Sequence, residues 1–213
     1  ITAGAVLATA ATPTPSPSPP PTKVEPSPSG FEWPSVDAKY VTSVPIDLAQ
    51  INSISKYASC SGHNRDGYTF EQLLVRNLSL KHYWYPISPL QGTTDKVKVF
   101  APFDGTVATI SLEANEGGLV RVKGGNGLGL STLVDKNVIF EFGHIYFVKQ
   151  FAIGDSVRSG ELLGYAALGD VGFDFDIDLL ARSRSKDGQD ILGSIFDHLS
   201  PQVEAAFASF GIK

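Results

Sequence analysis

The chain has 213 residues with 17 lysines and arginines against 22 aspartates and glutamates, and its net charge is −5. Its basic residues are scattered, whereas nucleic-acid-binding domains concentrate them, so no nucleic-acid partner is expected. A single cysteine excludes an internal disulfide framework. Beyond the extreme N-terminus, no stretch is long and apolar enough to predict a membrane-spanning helix.

The composition of residues 1–34 predicts that the chain is exported. Residues 1–11, ITAGAVLATAA, are small and apolar and end in an A-x-A-like pattern, so we interpret them as the remnant of a secretory signal. Residues 12–34 are rich in proline, serine and threonine, which predicts a disordered, extended Pro/Ser-rich linker. Together they predict a secreted or cell-surface domain held away from the envelope by a stalk. A cytosolic linker between domains is the alternative.

Residues 35–186 predict a domain built mainly of short β-strands. Two strands are expected in 96–113 around the turn APFDG, and further strands in 119–125 and 137–151. The stretch VGFDFDIDLLA, residues 171–181, alternates apolar residues with Asp174, Asp176 and Asp178, as a half-buried strand does. Short strands separated by glycine turns indicate an antiparallel β sandwich or barrel.

Residues 187–213 change to a helical period. Apolar residues recur at helical spacing in DGQDILGSIFDHL and in SPQVEAAFASFGIK. Ser200 followed by Pro201 is a favourable helix start. We therefore expect two short C-terminal helices packed on the β domain.

Two phrases, APFDGTV and IGDSVRSGELLGYA about fifty residues later, resemble the M23 peptidase family (lysostaphin- or LytM-like). The resemblance covers roughly residues 80 to 181 and implies a duplicated-hybrid-motif β-fold. Biotinyl and lipoyl carrier domains share both phrases, but their modifiable lysine at a hairpin tip has no counterpart here. The phrases CSGHNRDG and SLKHYWYP, with the helical tail, are also similar to a group of uncharacterised M23-like proteins that have no H-x-H pair.

The resemblance implies a zinc centre whose ligands are a histidine, an aspartate four residues later and the second histidine of an H-x-H strand. His82 stands where the first ligand is expected, but Pro86 replaces the aspartate. Asp174 and Asp176 replace the two histidines of the H-x-H strand. His144 matches an isolated catalytic histidine of the family. The zinc centre is thus degenerate, and the domain resembles a pseudoenzyme.

A zinc ion is the one cofactor that the resemblance leaves open, and otherwise none is expected. Its candidate ligands are His82 and Asp176, with His63 or Asp66 as the source of a third. If the protein is active, His144 and Asp174 are the catalytic candidates. A carboxylate at 174 would, however, oppose the negative charge that develops on the oxyanion, so an inactive domain is preferred.

The predicted function is an inactive M23-like domain at the cell envelope that binds a peptide or glycan in the former active-site groove. Tyr83, Trp84 and Asp178 are the predicted groove residues. Two alternatives stay open, a zinc endopeptidase acting on cell-wall peptides and a structural surface domain without a ligand. The same residues also have purely structural interpretations. These place His82 in the core, His144 in a structural role, His63 in a turn and the aspartate face in solvent. The oligomeric state is left open.

Overall fold

The computed structural model describes residues 35–112, 125–167 and 190–211, together with the backbone of 22–23 and 178–184. No helix in these residues is long and apolar enough to cross a membrane. Among the described residues the strands are β1 (Thr22–Lys23), β2 (Ile51–Ile54), β3 (Arg65–Thr69), β4 (Leu73–Leu78), β5 (His82–Pro86), β6 (Lys98–Phe100), β7 (Gly105–Ser111), β8 (Asn126–Thr132), β9 (Ile139–Phe147), β10 (Ser156–Val157), β11 (Leu162–Ala166), β12 (Asp178–Arg184) and β13 (Asp190–Gly193). Three short 3-10 helices span Leu48–Gln50, Ser88–Leu90 and Ile195–His198, and one α-helix, α1, spans Pro201–Ser209.

The strands form one branched, largely antiparallel sheet. The main path runs β1-β4-β3-β13-β12-β9-β8-β7-β10. Strand β5 pairs with β12 and β2, and strand β11 pairs with β9 and β6. The pairing of β13 with β3 is parallel, and the other described pairings are antiparallel. The prediction of a mainly β, antiparallel fold with a C-terminal helix is confirmed.

The predicted alternation of β9 places its aromatic residues in the core. Phe140 and Phe142 are buried, whereas Glu141 between them is partly exposed. From the other side, α1 contributes Val203 and Phe207, which are buried against the same core. Ser200 caps this helix by accepting a hydrogen bond from the Val203 N–H at 3.5 Å, and Pro201 is its first residue, as the sequence predicts.

Strands are found at most of the predicted positions in the centre of the chain. The turn APFDG separates β6 from β7, and residues 137–151 contain β9. The predicted strand at 119–125 and the first part of VGFDFDIDLLA, residues 171–177, lie almost wholly outside the described residues.

The C-terminal segment differs from the predicted helical pair in its first half. Residues 190–193 form β13, which lies between β3 and β12 and so completes the sheet. A 3-10 turn, Ile195–His198, follows it. Strands β3 and β12 form hydrogen-bonded ladders with β13, one on each side. This tertiary pairing outweighs the helix preference that the spacing of the apolar residues indicates. Only the second predicted helix is an α-helix.

Strand β1 attaches the proline-rich segment to the edge of the sheet. Thr22 and Lys23 pair antiparallel with Leu74 and Leu73 of β4. The sequence explains this position, because residues 22–25, TKVE, are the only run of four residues without proline between Pro13 and Pro28. Proline has no N–H to donate to a β-ladder, so this run is where the segment can form one. The predicted linker, residues 12–34, thus contacts the domain at two residues, and its other residues lie outside the described structure.

We predict that proline at both Thr22 and Lys23 exposes the edge of β4. The double variant loses the N–H groups that β1 contributes, so the amides of β4 should exchange with deuterium several-fold faster, as measured by hydrogen-exchange mass spectrometry. The matched control places two prolines at Ser27 and Ser29, which adds the same residues outside the proline-free run. Equal exchange in the two double variants would contradict the role assigned to β1.

Candidate functional site

The candidate site is built around β5, which carries three of the residues singled out from the sequence. On one side β5 pairs with β12, where Leu179 lies opposite His82 and Asp178 lies opposite Tyr83. On its other side β5 pairs with β2. Leu179 also pairs with Phe142 of β9, so β12 separates His82 from the strand that carries His144. The fold therefore brings the predicted site strands together.

Both ring nitrogens of His82 are hydrogen-bonded within the protein. Nδ1 lies 2.9 Å from the carbonyl oxygen of Ser55, and Nε2 lies 2.8 Å from the hydroxyl oxygen of Ser194. A carbonyl oxygen can only accept, so Nδ1 carries the proton and Nε2 accepts from the Ser194 hydroxyl. Ser194 in turn accepts the N–H of Phe196 at 3.1 Å and so caps the 3-10 turn Ile195–His198.

His82 is held in its neutral form by burial. Its side chain is almost fully buried, and the ring of Phe196 packs edge-on at a centroid distance of 4.8 Å. Loss of hydration disfavours the imidazolium and lowers the pKa of His82 to about 4, although the hydrogen bond to Ser55 opposes this shift. His82 is therefore neutral at neutral pH and has no free lone pair, because the Ser194 hydroxyl occupies the one on Nε2.

The described part of the predicted zinc-ligand set does not fit a zinc ion. Binding at His82 would displace Ser194 from its lone pair. In addition, residues 82 and 86 are both in strand β5, and the proline at position 86 has no side-chain donor atom. The pair of ligands that the resemblance implies is therefore incomplete here.

His63 and Asp66 do not supply the missing ligands in the described structure. Both are exposed, and one carboxylate oxygen of Asp66 accepts the Asn77 N–H at 3.0 Å. His63 is instead tied to Tyr83, whose hydroxyl accepts its backbone N–H at 2.9 Å and lies 3.4 Å from its Nδ1. In the described ranges, no group of three histidine, cysteine, aspartate or glutamate side chains could hold a metal ion.

The loop that carries His63 packs directly on the Tyr83 ring. Gly62 has a φ of +83°, and a Cβ added there would overlap the ring atoms of Tyr83. Glycine is therefore required at this position both for its left-handed backbone and for the space that the ring fills. Tyr83 is 0% exposed as a result.

The predicted groove residues are not on a surface. Tyr83 and Trp84 are both buried, because β5 is covered on both faces. Trp84 stacks on Phe196 and contacts Phe207 of α1, at centroid distances of 6.3 Å and 5.9 Å. The prediction that Tyr83 and Trp84 form the walls of an open ligand groove is therefore not met. Asp178 is the first residue of β12, and its backbone pairing with Tyr83 is what the structure describes.

His144 lies at a β-bulge. Asn126 of β8 pairs with Ile145 and Leu128 pairs with Phe142, so Gly143 and His144 together lie opposite Gly127. His144 has a φ of +58°, which is uncommon for a residue with a side chain, and its carbonyl oxygen accepts the Ala167 N–H at 2.8 Å. Bulges redirect side chains and are frequent next to active sites. Asp174 and Asp176, its predicted neighbours, lie outside the described residues, so their roles stay predictions.

A cavity of about 240 Å³ opens beside His82. It is lined by Ile54, Ser55, Lys56, Tyr57, His82, Ser194 and Phe196. We call these seven residues the His82 pocket. The Tyr57 hydroxyl donates to the carbonyl oxygen of Leu192 at 2.8 Å, and burial, with nearby Glu71 and Asp197, raises the pKa of Tyr57.

Sequence reasoning found His82 but missed the other residues of this pocket. Ser55 and Ser194 lie 27 and 112 residues away from His82 along the chain. Ser194 precedes the 3-10 turn Ile195–His198, and its capping role is the one feature that the sequence could have signalled. His198 is also buried, and its Nδ1 lies 2.8 Å from the Ala38 carbonyl oxygen.

No family model matches the chain, and no curated protein matches it. Among solved structures, it is similar to a protein assigned as a glycyl-glycine endopeptidase LytM of Ruminococcus gnavus, with 21% identity, a TM-score of 0.45 and coverage of 76% of this chain and 59% of the other. The catalytic domain of the prophage-encoded M23 protein EnpA of Enterococcus faecalis has 14% identity, a TM-score of 0.43 and coverage of 73% and 94%. The catalytic domain of the antimicrobial peptidase lysostaphin of Staphylococcus simulans has 14% identity, a TM-score of 0.40 and coverage of 62% and 81%. These are M23 peptidase domains, the family that the sequence motifs resemble, and the likeness concerns the fold alone.

We predict that His82 makes the protein less stable in mild acid. In the unfolded chain a histidine titrates near pH 6.5, whereas in the folded protein the pKa of His82 is about 4. Between these values the unfolded state binds the additional proton, so the free energy of unfolding falls as the pH is lowered from about 6.5 to about 4. The loss is on the order of 3 kcal/mol, at about 1.4 kcal/mol per pKa unit.

Urea titrations at several pH values measure this dependence. His82→Gln should be less stable at pH 7 but should lose the part of the slope that His82 contributes, whereas His63→Gln, at an exposed histidine, should keep it. His198 contributes a slope of the same sign in all three proteins, because its pKa is also lowered by burial. An unchanged slope in His82→Gln would contradict the assignment.

A second prediction separates backbone strain from overlap at Gly62. Gly62 and Gly92 have φ values of +83° and +76°, but an added Cβ at Gly92 would meet nothing within 4 Å. We expect Gly92→Ala to cost roughly 1 kcal/mol from strain alone, and Gly62→Ala to cost about 1–3 kcal/mol more because Tyr83 must move. Chemical denaturation compares the two, and equal costs would show that the loop does not rest on the Tyr83 ring.

Proposed function

We propose that this chain is an exported, non-catalytic M23-like domain of the cell envelope that binds a peptide or glycan. The observation that carries the proposal is the state of His82. The residue at the position of the family's first zinc ligand has both ring nitrogens occupied inside the domain, next to Ser55 and Ser194. These two hydrogen bonds stabilise the fold and leave neither ring nitrogen available for catalysis.

The absence of catalysis is inferred from the ligand chemistry. Zinc hydrolysis requires three protein ligands and an open position for water. Of the predicted set, His82 is engaged, Pro86 has no donor group, and both His63, in a loop, and Asp66, in β3, are exposed. The two aspartates that replace the H-x-H histidines would add negative charge where an oxyanion develops. His144, the predicted catalytic residue within the described part of the chain, lies at a bulge with a positive φ.

The proposal of export rests on the composition of residues 1–34. We propose that residues 1–11 are a signal-like apolar segment, 12–34 a Pro/Ser-rich stalk, and 35–186 with 187–213 the domain. Because Thr22 and Lys23 pair with β4, the part of this segment that precedes β1 is the part that could act as an extended spacer between the domain and a membrane or wall. An extracytoplasmic location would place a peptide- or glycan-binding domain beside wall polymers, which are its expected partners.

The binding surface that we propose is the His82 pocket. It replaces the groove predicted from Tyr83 and Trp84, which are buried. Aromatic and aliphatic walls from Tyr57, Phe196 and Ile54 stand beside the polar groups of Ser55 and Lys56. Small-molecule and peptide sites commonly have this composition, an apolar lining with a few polar groups.

A wall-fragment pull-down tests the proposed binding. The protein should be retained on peptidoglycan fragments at low salt, and Ile54→Trp, which fills the pocket, should abolish retention. Ile153→Trp is the matched control, because Ile153 is exposed and does not line the pocket. Circular dichroism verifies that both variants fold. No retention of the unmodified protein would favour the structural domain without a ligand.

Metal content and peptide cleavage test the alternative function. Elemental analysis of the purified protein should show no stoichiometric zinc, and glycine-rich or stem peptides should stay intact in its presence. Stoichiometric zinc that disappears in His82→Ala, or cleavage that a chelator stops, would overturn the non-catalytic assignment.

A further inference from the structure

The polar atoms at the base of the His82 pocket already have partners. The ring nitrogens of His82 contact Ser55 and Ser194, and the Tyr57 hydroxyl donates to Leu192. The Ser55 hydroxyl oxygen accepts the Tyr83 N–H at 2.8 Å. The Ser55 hydroxyl can still donate one hydrogen bond, but a polar ligand group beside the engaged atoms of His82 and Ser194 would lose its water without gaining an equivalent partner, which costs free energy. The base of the pocket therefore favours an apolar group.

Lys56 is the one charged residue that lines the pocket. Its side chain is exposed, and within the described part of the chain its ammonium group has no ion-pair or hydrogen-bond partner. An anion is the natural partner of such a group. Glu71 and Asp197, which act on Tyr57, would repel an anion deeper in the pocket. The position that favours negative charge is thus at the Lys56 side of the opening.

The cavity is large enough for one amino-acid residue. A volume of about 240 Å³ corresponds to about eight waters at roughly 30 Å³ each. That volume accommodates one large aliphatic side chain with its own backbone.

We propose that the His82 pocket binds the C-terminus of a peptide whose last side chain is apolar, with the side chain on Phe196 and Ile54 and the carboxylate at Lys56. This inference rests on the proposed binding function and specifies its ligand. It differs from a glycan ligand in requiring both an apolar side chain and a free carboxylate. It differs from a catalytic groove in that the peptide ends in the pocket and no bond is presented for cleavage.

Titration with three small probes, followed by the amide NMR shifts of Lys56, Tyr57 and Ser194, tests the proposal. N-acetyl-leucine has both required groups, N-acetyl-leucinamide has no carboxylate, and N-acetylglycine has no side chain. N-acetyl-leucine should bind most tightly. The amide should bind two- to fivefold more weakly, as an exposed ion pair predicts, and N-acetylglycine about tenfold more weakly or worse.

Two variants assign these differences to named residues. Lys56→Gln should remove the preference for the acid over the amide, whereas Lys136→Gln, at an exposed lysine of the turn after β8, should keep it. Ile54→Trp should abolish binding of all three probes. Equal affinity for N-acetyl-leucine and N-acetyl-leucinamide in the unmodified protein would overturn the proposal. Chemical-shift changes confined to amides outside the pocket would also overturn it.

The two failures can be told apart. Retention on wall fragments without discrimination among the probes would refute the peptide C-terminus and leave the proposed function standing. Discrimination among the probes without retention on wall fragments would support the pocket's ligand class and refute its assignment to the envelope polymer.

Discussion

The chain of hydrogen bonds through His82 is the constraint on which the site depends. It runs from the Phe196 N–H through the Ser194 hydroxyl and the imidazole to the carbonyl oxygen of Ser55. In this way it joins the residue after β2, strand β5 and the 3-10 turn after β13, three segments that are far apart in sequence. Each donor has one acceptor only when the imidazole is neutral and protonated at Nδ1. Burial of the ring favours the neutral form, and the Ser55 carbonyl places its proton on Nδ1.

The strands that the sequence predicts best are those with one buried face. In β9, Phe140 and Phe142 alternate with partly exposed residues, and the turn before β7 has the expected glycine. Strand β8 was missed, because Gly127 and Gly129 have no side chains that could show an alternation. Its conformation is set by its neighbours, since a Cβ at Gly129 would overlap Thr109 of β7. Likewise β13 depends on ladders with β12 and β3, which no local pattern reports.

The site follows the same division between local and non-local information. The motif placed His82, Tyr83 and Trp84 on one strand, and the structure agrees. Their roles were not predictable, because they depend on which segments cover β5. A period of two predicts one exposed face, but the loop at Gly62 covers Tyr83, and Phe196 with α1 covers Trp84. The serines that bind His82 are likewise distant in sequence, so spacing could identify the histidine but not its partners.

A fully bonded His82 is compatible with binding and poorly suited to catalysis. A catalytic centre needs lone pairs, protons or vacant coordination positions that face the substrate, and such groups are costly to keep unpaired in a buried site. Here the polar atoms beside the pocket are paired within the protein, which stabilises the fold and leaves the pocket an apolar base. What remains available to a ligand is shape, apolar surface and the charge of Lys56. A site of that kind can select a ligand by fit without acting on its bonds.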